Sequence, residues 1–268
     1  MDSSSHDNMS FLEHLEELRW HIIRSLIAII SAGFICFLMK DFIFDTIIFG
    51  PKKMDFPTYK FLCQAATFIG VETTFCGDEF PFIVQNRTMA GQFSAHVMTS
   101  IISGFIISFP YILYEFWKFI APGLLENEKA KSRGFILVSS LLFFIGILFG
   151  YYIISPLSIN FLGTYQVSSQ VLNEIDLGSF ISLVRSSTLA SGIIFELPII
   201  IYFLTKAGVV TPESLVKYRK YALVLVLILA AIITPPDVAS QIIVAIPIVV
   251  LYQVSIFISR IVIKNQAK

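Results

Sequence analysis

With 268 residues, 56% of them apolar and 14% charged, and a mean hydropathy of +0.78, the chain carries far fewer charges than the roughly 25% of a soluble domain, so it is expected to fold in lipid. Its nineteen basic and nineteen acidic residues cancel, which removes any electrostatic case for nucleic acid or a polyanionic substrate. Three cysteines and four histidines show neither a CxxC pair nor metal-ligand spacing, so neither a metal nor another cofactor is expected.

Taken in chain order, the first 21 residues hold five acids and one arginine, unlike the basic start of a cleaved signal peptide, so the first apolar run is expected to be retained. Ser10 and Glu13 fit a capping box at a helix start. Phe11, Leu12, Leu15, Leu18 and Ile22 then recur at three- and four-residue spacing, with Glu13, Glu16 and Glu17 elsewhere around the helix. This predicts an amphipathic helix lying at the membrane surface, its carboxylates beside Arg19 and Arg24. On physical grounds alone those acids solvate an exposed face and pair with nearby bases.

A hydrocarbon core of about 30 Å takes about 20 apolar residues as a helix, and the first such span runs from Trp20 to Met39. Cys36 lies within it as a small buried residue. A long polar outer loop over 42–92 follows, with GPKKMDFP and CGDEFP marking turns. Cys63 and Cys76 share this loop. A disulfide between them and two free thiols are equally compatible with the sequence, since bridging depends on geometry.

Further spans are predicted over 93–116, 134–154, 179–204, 221–233 and 241–258, making six in one membrane domain over 1–268. Loops rich in lysine and arginine stay in the cytoplasm. The linkers Lys118 to Arg133 and Leu204 to Lys220 each hold four such residues, while those from Ser155 to Gly178 and Thr234 to Ser240 hold none. Both termini are therefore expected inside. The 221–233 span is short, since thirteen residues give about 20 Å of helix, and it implies either snorkelling of Lys217 to Lys220 or local thinning of the bilayer.

Polar side chains within the spans mark the candidate sites. His96 with Ser94, Thr99, Ser100 and Ser103 makes the second span polar at its outer end, and most of these groups are expected to bond to backbone or adjacent helices. Glu196 lies inside the fourth span, where a charge costs at least about 2.5 kcal/mol, so a functional role is its default reading and a protonated carboxyl hydrogen-bonded to a neighbouring helix the alternative. Ser182, Arg185, Gly192 and Glu196 fall along one side of that helix, and Pro198 frees a backbone carbonyl nearby. Pro235 and Pro236 stiffen a tight turn in which Asp237 caps the next helix.

Four blocks carry a family resemblance: FLEHLEELR (Phe11 to Arg19), FPYILYEFWKFIAPGLLENE (Phe109 to Glu128), SGIIFELP (Ser191 to Pro198) and TPPDVASQ (Thr234 to Gln241). In this order they resemble the TatC family, the multispanning subunit of the twin-arginine protein translocase. The resemblance implies an all-α, six-helix integral membrane protein, N-in and C-in, in the bacterial cytoplasmic membrane rather than a thylakoid or other organelle membrane. It also implies that paired arginines of signal peptides on folded proteins are read by Glu17 and Glu128, with Arg19 and Phe119 beside them. Glu196 and Gln241 would face a groove that engages TatA- and TatB-type single-span subunits. Pro110, Pro122 and Asp237 would shape structural turns, and the assembly would be a homo-oligomer in lipid driven by the proton-motive force. Glu115 stands where relatives often carry glutamine, adding a carboxylate near the site.

The chemistry agrees with that assignment, because a guanidinium is planar and permanently charged and meets a carboxylate through two parallel bonds. No nucleophile, metal cluster or phosphate-binding loop is visible, so no enzymatic activity is expected. The alternative from a different class is an ion-coupled small-solute transporter in which Glu196 carries a proton.

Overall fold

The computed structural model describes residues 11–70, 74–77, 79–120, 132–168, 170–233 and 238–266. The chain divides into two compact units, one of residues 1–40 and 96–140, the other of 41–95 and 141–268. Among the described residues, five helical stretches are long and apolar enough to cross a membrane: Leu15–Leu38, Gly91–Ile120, Gly134–Thr164, Leu177–Lys206 and Gln241–Lys264. The fifth predicted span, 221–233, falls on a helix of 15 residues, Arg219–Ile233.

The first unit is built on α1 (Phe11–Leu38) and most of α3 (Gly91–Ile120). Helix α1 runs unbroken from the acidic segment into the apolar run, so the expected surface helix and the first span are one element. Nothing interrupts it, for the segment holds no Gly or Pro before Gly33. The pairs His21–Glu115, Ala28–Ser108, Gly33–Gly104 and Phe37–His96 fall in opposite chain order, so α1 and α3 are antiparallel. They meet at glycine: a Cβ on Gly104 would stand 2.5 Å from the Gly33 nitrogen and 2.6 Å from the Ile29 carbonyl. Small residues bring membrane helices this close where lipid supplies no hydrophobic drive. The polar groups expected to find backbone partners do so at two places, with His96 Nε2 3.0 Å from the Phe37 carbonyl and Ser100 donating to His96 O at 2.8 Å.

Pro110 calls for a correction. It was expected at a structural turn, yet it sits inside α3 with helix on both sides. A proline ends a helix in water because its missing N–H leaves an unpaired carbonyl. In a membrane helix neighbouring groups satisfy that carbonyl and the helix continues.

In the second unit the polar loop holds regular structure. A wide, π-type turn over Phe42–Ile48 leads through Gly50–Lys52 to α2 (Pro57–Ile69), which Gly70 ends with φ of 77°. Cys63 and Cys76 are joined by a disulfide, their Cα atoms 5.1 Å apart. Tyr59, fully buried, places its hydroxyl 2.8 Å from the Pro51 carbonyl and 2.9 Å from the Pro156 carbonyl, sharing its proton between them. Burial pushes the phenol well above its ordinary range, so the donor keeps its proton at any physiological pH. Tyr59→Phe should therefore lower stability by about 1–3 kcal/mol, the cost of stranding buried acceptors, measured as a fall in the unfolding midpoint in detergent.

The expectation of an all-helical chain needs one amendment. Strands β1 (Phe82–Gln85) and β2 (Asn173–Asp176) pair in parallel, Phe82 opposite Asn173 and Gln85 opposite Asp176. Gln85 and Arg87 both hydrogen-bond Glu174, tying the two loops together. Asp176 then caps the following helix, accepting from Gly178 N at 2.9 Å and Ser179 N at 3.3 Å.

The third predicted span is longer than expected. Helix α4 (Ser132–Phe149) passes through a π-type turn over Gly150–Ile154 into α5 (Ser155–Thr164) with the backbone helical at the junction, and the carbonyl of Tyr152, four residues before Pro156, accepts from the Thr58 hydroxyl. The fourth is two helices, α6 (Leu177–Phe195) and α7 (Leu197–Lys206). Glycines again set the approach: a Cβ on Gly150 would lie 2.7 Å from Thr188 Cα, and one on Gly146 2.8 Å from Ser191 O. Thr211 and Ser214 form a capping box for α8 (Pro212–Lys217), which leads to α9 (Arg219–Ile233) and α10 (Val238–Gln266). The core here joins Ile154, Val226, Ala230, Val244 and Ile248, and Thr205 on α7 donates to Ser259 on α10 at 2.9 Å.

Candidate functional site

In the first unit, Glu17, His21 and Arg24 recur at four and three residues along α1 and so share a face. Opposite them on α3 stands Glu115, one of the most buried side chains at 2% exposure. His21 Nδ1 lies 2.6 Å from Glu115 Oε2, and Arg24 Nη1 3.6 Å from the same oxygen. With two bases facing it, the carboxylate is the acceptor and the imidazole Nδ1 carries the proton. Tyr111, one turn back along α3, stands beside the same carboxylate. Glu115 is thus paired inside the chain.

Glu17 differs. It lies one helical turn before His21, half-buried, and its Oε2 is buried with no hydrogen-bond partner among the described residues. A buried, unmatched carboxylate oxygen costs free energy that an incoming cation would relieve. Beside this face is a nearly all-apolar groove of about 230 Å³, lined by Leu18, Ile22, Ile112, Phe116 and Phe119 among others. Phe119 meets His21 edge-on, their ring centroids 6.2 Å apart.

Arg19 belongs elsewhere. Its guanidinium pairs with Glu16 at 3.1 Å, both side chains mostly exposed, and lies 5.6 Å from the Trp20 ring. An exposed pair of this kind contributes little to stability. Phe119 is therefore brought together with His21 and Glu115, with Glu17 one turn away along α1, whereas Arg19 and Glu16 form a separate solvated pair. Glu128, Pro122 and Asp237 lie outside the described residues. Sequence reading singled out Glu115 only as an extra charge. Its partner His21 is 94 positions away with no local pattern to announce it.

In the second unit Glu196 marks the break between α6 and α7, buried at 9% exposure with φ −75° and ψ −4°. Pro198 two positions on lacks an N–H, and the backbone tightens: Glu196 N donates to Ile193 O and Ile194 O, while Glu196 O accepts from Ile199 N at 2.9 Å and Ile200 N at 3.0 Å. Leu197 packs into the hydrophobic core beside it. Gln241, expected at a partner-contacting groove, donates through Nε2 to Leu227 O at 3.1 Å and so ties α10 to α9. Among the described residues no three His, Cys, Asp or Glu side chains cluster to hold a metal.

The profile of the family described as Sec-independent protein translocase protein (TatC) matches residues 13–247. A protein of that name from Blattabacterium sp. subsp. Periplaneta americana (strain BPLAN) is 47% identical, the match covering 97% of this chain and 98% of the relative. Another, from Aquifex aeolicus (strain VF5), is 37% identical over 94% of this chain and 95% of its own. Two crystal structures described as the twin arginine translocase receptor TatC share the fold. One, at 34% identity, has a TM-score of 0.67 over 93% of this chain and 99% of its own. The other, in DDM and 36% identical, has a TM-score of 0.70 over 91% of this chain and 98% of its own.

Proposed function

The chain belongs to the TatC family of Sec-independent protein translocase proteins and is a multi-pass bacterial membrane protein, and from that premise we propose that it is the receptor for Arg-Arg signal peptides. Glu17 binds one guanidinium and Glu128 the other, with the apolar groove beside Phe119 taking the hydrophobic side chains that follow. The observation that carries this reading is the contrast between two neighbouring acids. Glu115 is held by His21 with Arg24 nearby, while Glu17 keeps a buried oxygen with no partner among the described residues.

Receptor and scaffold follow from the same arrangement. The basic linkers put both termini and the Glu17 face in the cytoplasm, and the Cys63–Cys76 bridge supports an oxidising, outer position for the first long loop. Helix α9 completes six spans, and its 15 residues favour a locally thinned bilayer. Glu196, at a buried break in the fourth span, with Gln241 and the last two spans, recruits TatA- and TatB-type single-span subunits into a homo-oligomeric assembly. Transport draws on the proton-motive force and the chain is not an enzyme. The ion-coupled transporter reading of Glu196 is set aside, since the matches to translocase proteins give it no support.

The test uses a photoreactive residue in place of Leu18, on the groove, in inverted membrane vesicles. A signal peptide with paired arginines should crosslink there and its lysine-lysine counterpart should not. Equal crosslinking of both peptides, or none from the cytoplasmic side, overturns the proposal.

A further inference from the structure

Arg185 lies on α6, eight residues beyond Leu177 and about 12 Å along the axis from the helix start, within the Leu177–Lys206 stretch that is long and apolar enough to span a membrane. A guanidinium does not shed its charge in a protein, and an intramembrane charge faces a partner or a wet cavity. None of the ion pairs among the described residues involves Arg185. Glu196, the acid on the same side of the helix, is about 16 Å away along the axis.

The surroundings show which way the charge looks. Ile181, Val184, Ser187, Thr188 and Ser191 are buried, and the last three lie on the side of α6 that Gly146 and Gly150 approach. Arg185 sits at the rim of that buried side, half-buried, and Ser182 and Ser186 beyond it are exposed. An arginine with two flanking hydroxyls on an uncovered helix face is a poor surface for acyl chains and a good one for a polar neighbour. The side chain leans toward the helix N-terminus, which shortens without closing the roughly 12 Å to the helix start. A lipid phosphate at the interface is therefore worse placed than an anion at the same depth.

We infer that Arg185, with Ser182 and Ser186, is the docking point for a partner membrane helix that carries a carboxylate within its apolar span. The inference rests on the proposal that this chain recruits single-span subunits, and it names the charge by which one of them is held. The guanidinium meets the carboxylate through paired hydrogen bonds, and the serines add hydroxyl contacts at the same level.

The experiment reconstitutes wild type, Arg185→Lys and Arg185→Gln in nanodiscs of zwitterionic lipid, with and without added anionic lipid, together with TatA- and TatB-type subunits. Captured subunit is measured, as is the disulfide crosslink from Ser182→Cys to a cysteine series along each partner's span. Arg185→Gln should lower capture by about three- to thirtyfold, the range of polar contacts between membrane helices, and Arg185→Lys should retain most of it. Changing the partner's intramembrane carboxylate to an amide should lower capture by wild type but not further reduce capture by Arg185→Gln. Undiminished capture by Arg185→Gln overturns the inference, as does a loss that follows anionic lipid content rather than the partner's carboxylate. If wild type captures subunits but no partner position crosslinks to Ser182→Cys, this docking point is wrong while recruitment stands. If wild type captures nothing, recruitment itself fails.

Discussion

Glu17→Gln should weaken binding of an Arg-Arg signal peptide by about tenfold to a hundredfold, the worth of a partly dried hydrogen bond to a charged group, and export should fall with it. The amide keeps the size and one acceptor but cannot offer a guanidinium two equivalent anionic oxygens. Glu16→Gln is the control. Glu16 is already exposed and paired with Arg19, so its loss should change affinity by no more than about twofold, as for surface ion pairs. Glu128→Gln should cost as much as Glu17→Gln, because two separated acids are proposed to read two separate arginines. Titration calorimetry in nanodiscs measures all three. A pattern in which Glu16 and Glu17 contribute equally would favour general surface charge over a built site.

Glu115→Ala should be the most destabilising substitution in the first unit. His21 and Glu115 are almost completely buried, with 9% and 3% of their side chains accessible, and removing one partner strands the other. Losses of about 3–5 kcal/mol are usual for breaking such a pair. Arg24, half exposed at 3.6 Å, cannot make up the difference. Glutamine at 115 should be far milder, since its carbonyl still accepts from His21 and fills the same space. Thermal unfolding in detergent should therefore rank wild type first, Glu115→Gln a little lower and Glu115→Ala far below. Because His21 lies one turn from Glu17 on α1, Glu115→Ala should also lower signal-peptide affinity. Equal midpoints for alanine and glutamine would show that the His21 bond does not hold α1 to α3.

How far the sequence carried this account depends on the range of the interaction concerned. Long apolar runs are local, and five of the six predicted spans coincide with helices of membrane-spanning length. The short fifth span, 221–233, was legible as short because length is local too. Helix ends were read less well. The surface segment and first span proved continuous because amphipathic and apolar stretches are equally good helix, and no breaker separates them before Gly33. The third span ran on through Thr164 although Pro156 reads in sequence as a helix end, because a membrane helix can carry a proline inside it.

Contacts between distant positions were the hardest. The β1–β2 ladder joins two four-residue strands whose first residues are 91 positions apart, too short for an alternating pattern to show. The His21–Glu115 bond spans 94 positions in the same way. Glu196 was conspicuous as a charge in an apolar run, and Pro198 announced a disturbed backbone. That the helix divides at Glu196 itself came only with the structure. Glu17 stood out through its motif rather than its physics, because periodicity alone assigned it to the same exposed face as Glu16.

The most direct test of the central claim is a double-mutant cycle between receptor and peptide in nanodiscs, measured from the side that carries Glu17. Wild type should prefer the Arg-Arg peptide over the Lys-Lys peptide by at least about tenfold, or 1.4 kcal/mol. In Glu17→Gln most of that preference should disappear, the two changes being far from additive. An undiminished preference for arginine in the variant would mean that the guanidinium is read elsewhere, and the assignment of Glu17 would be wrong.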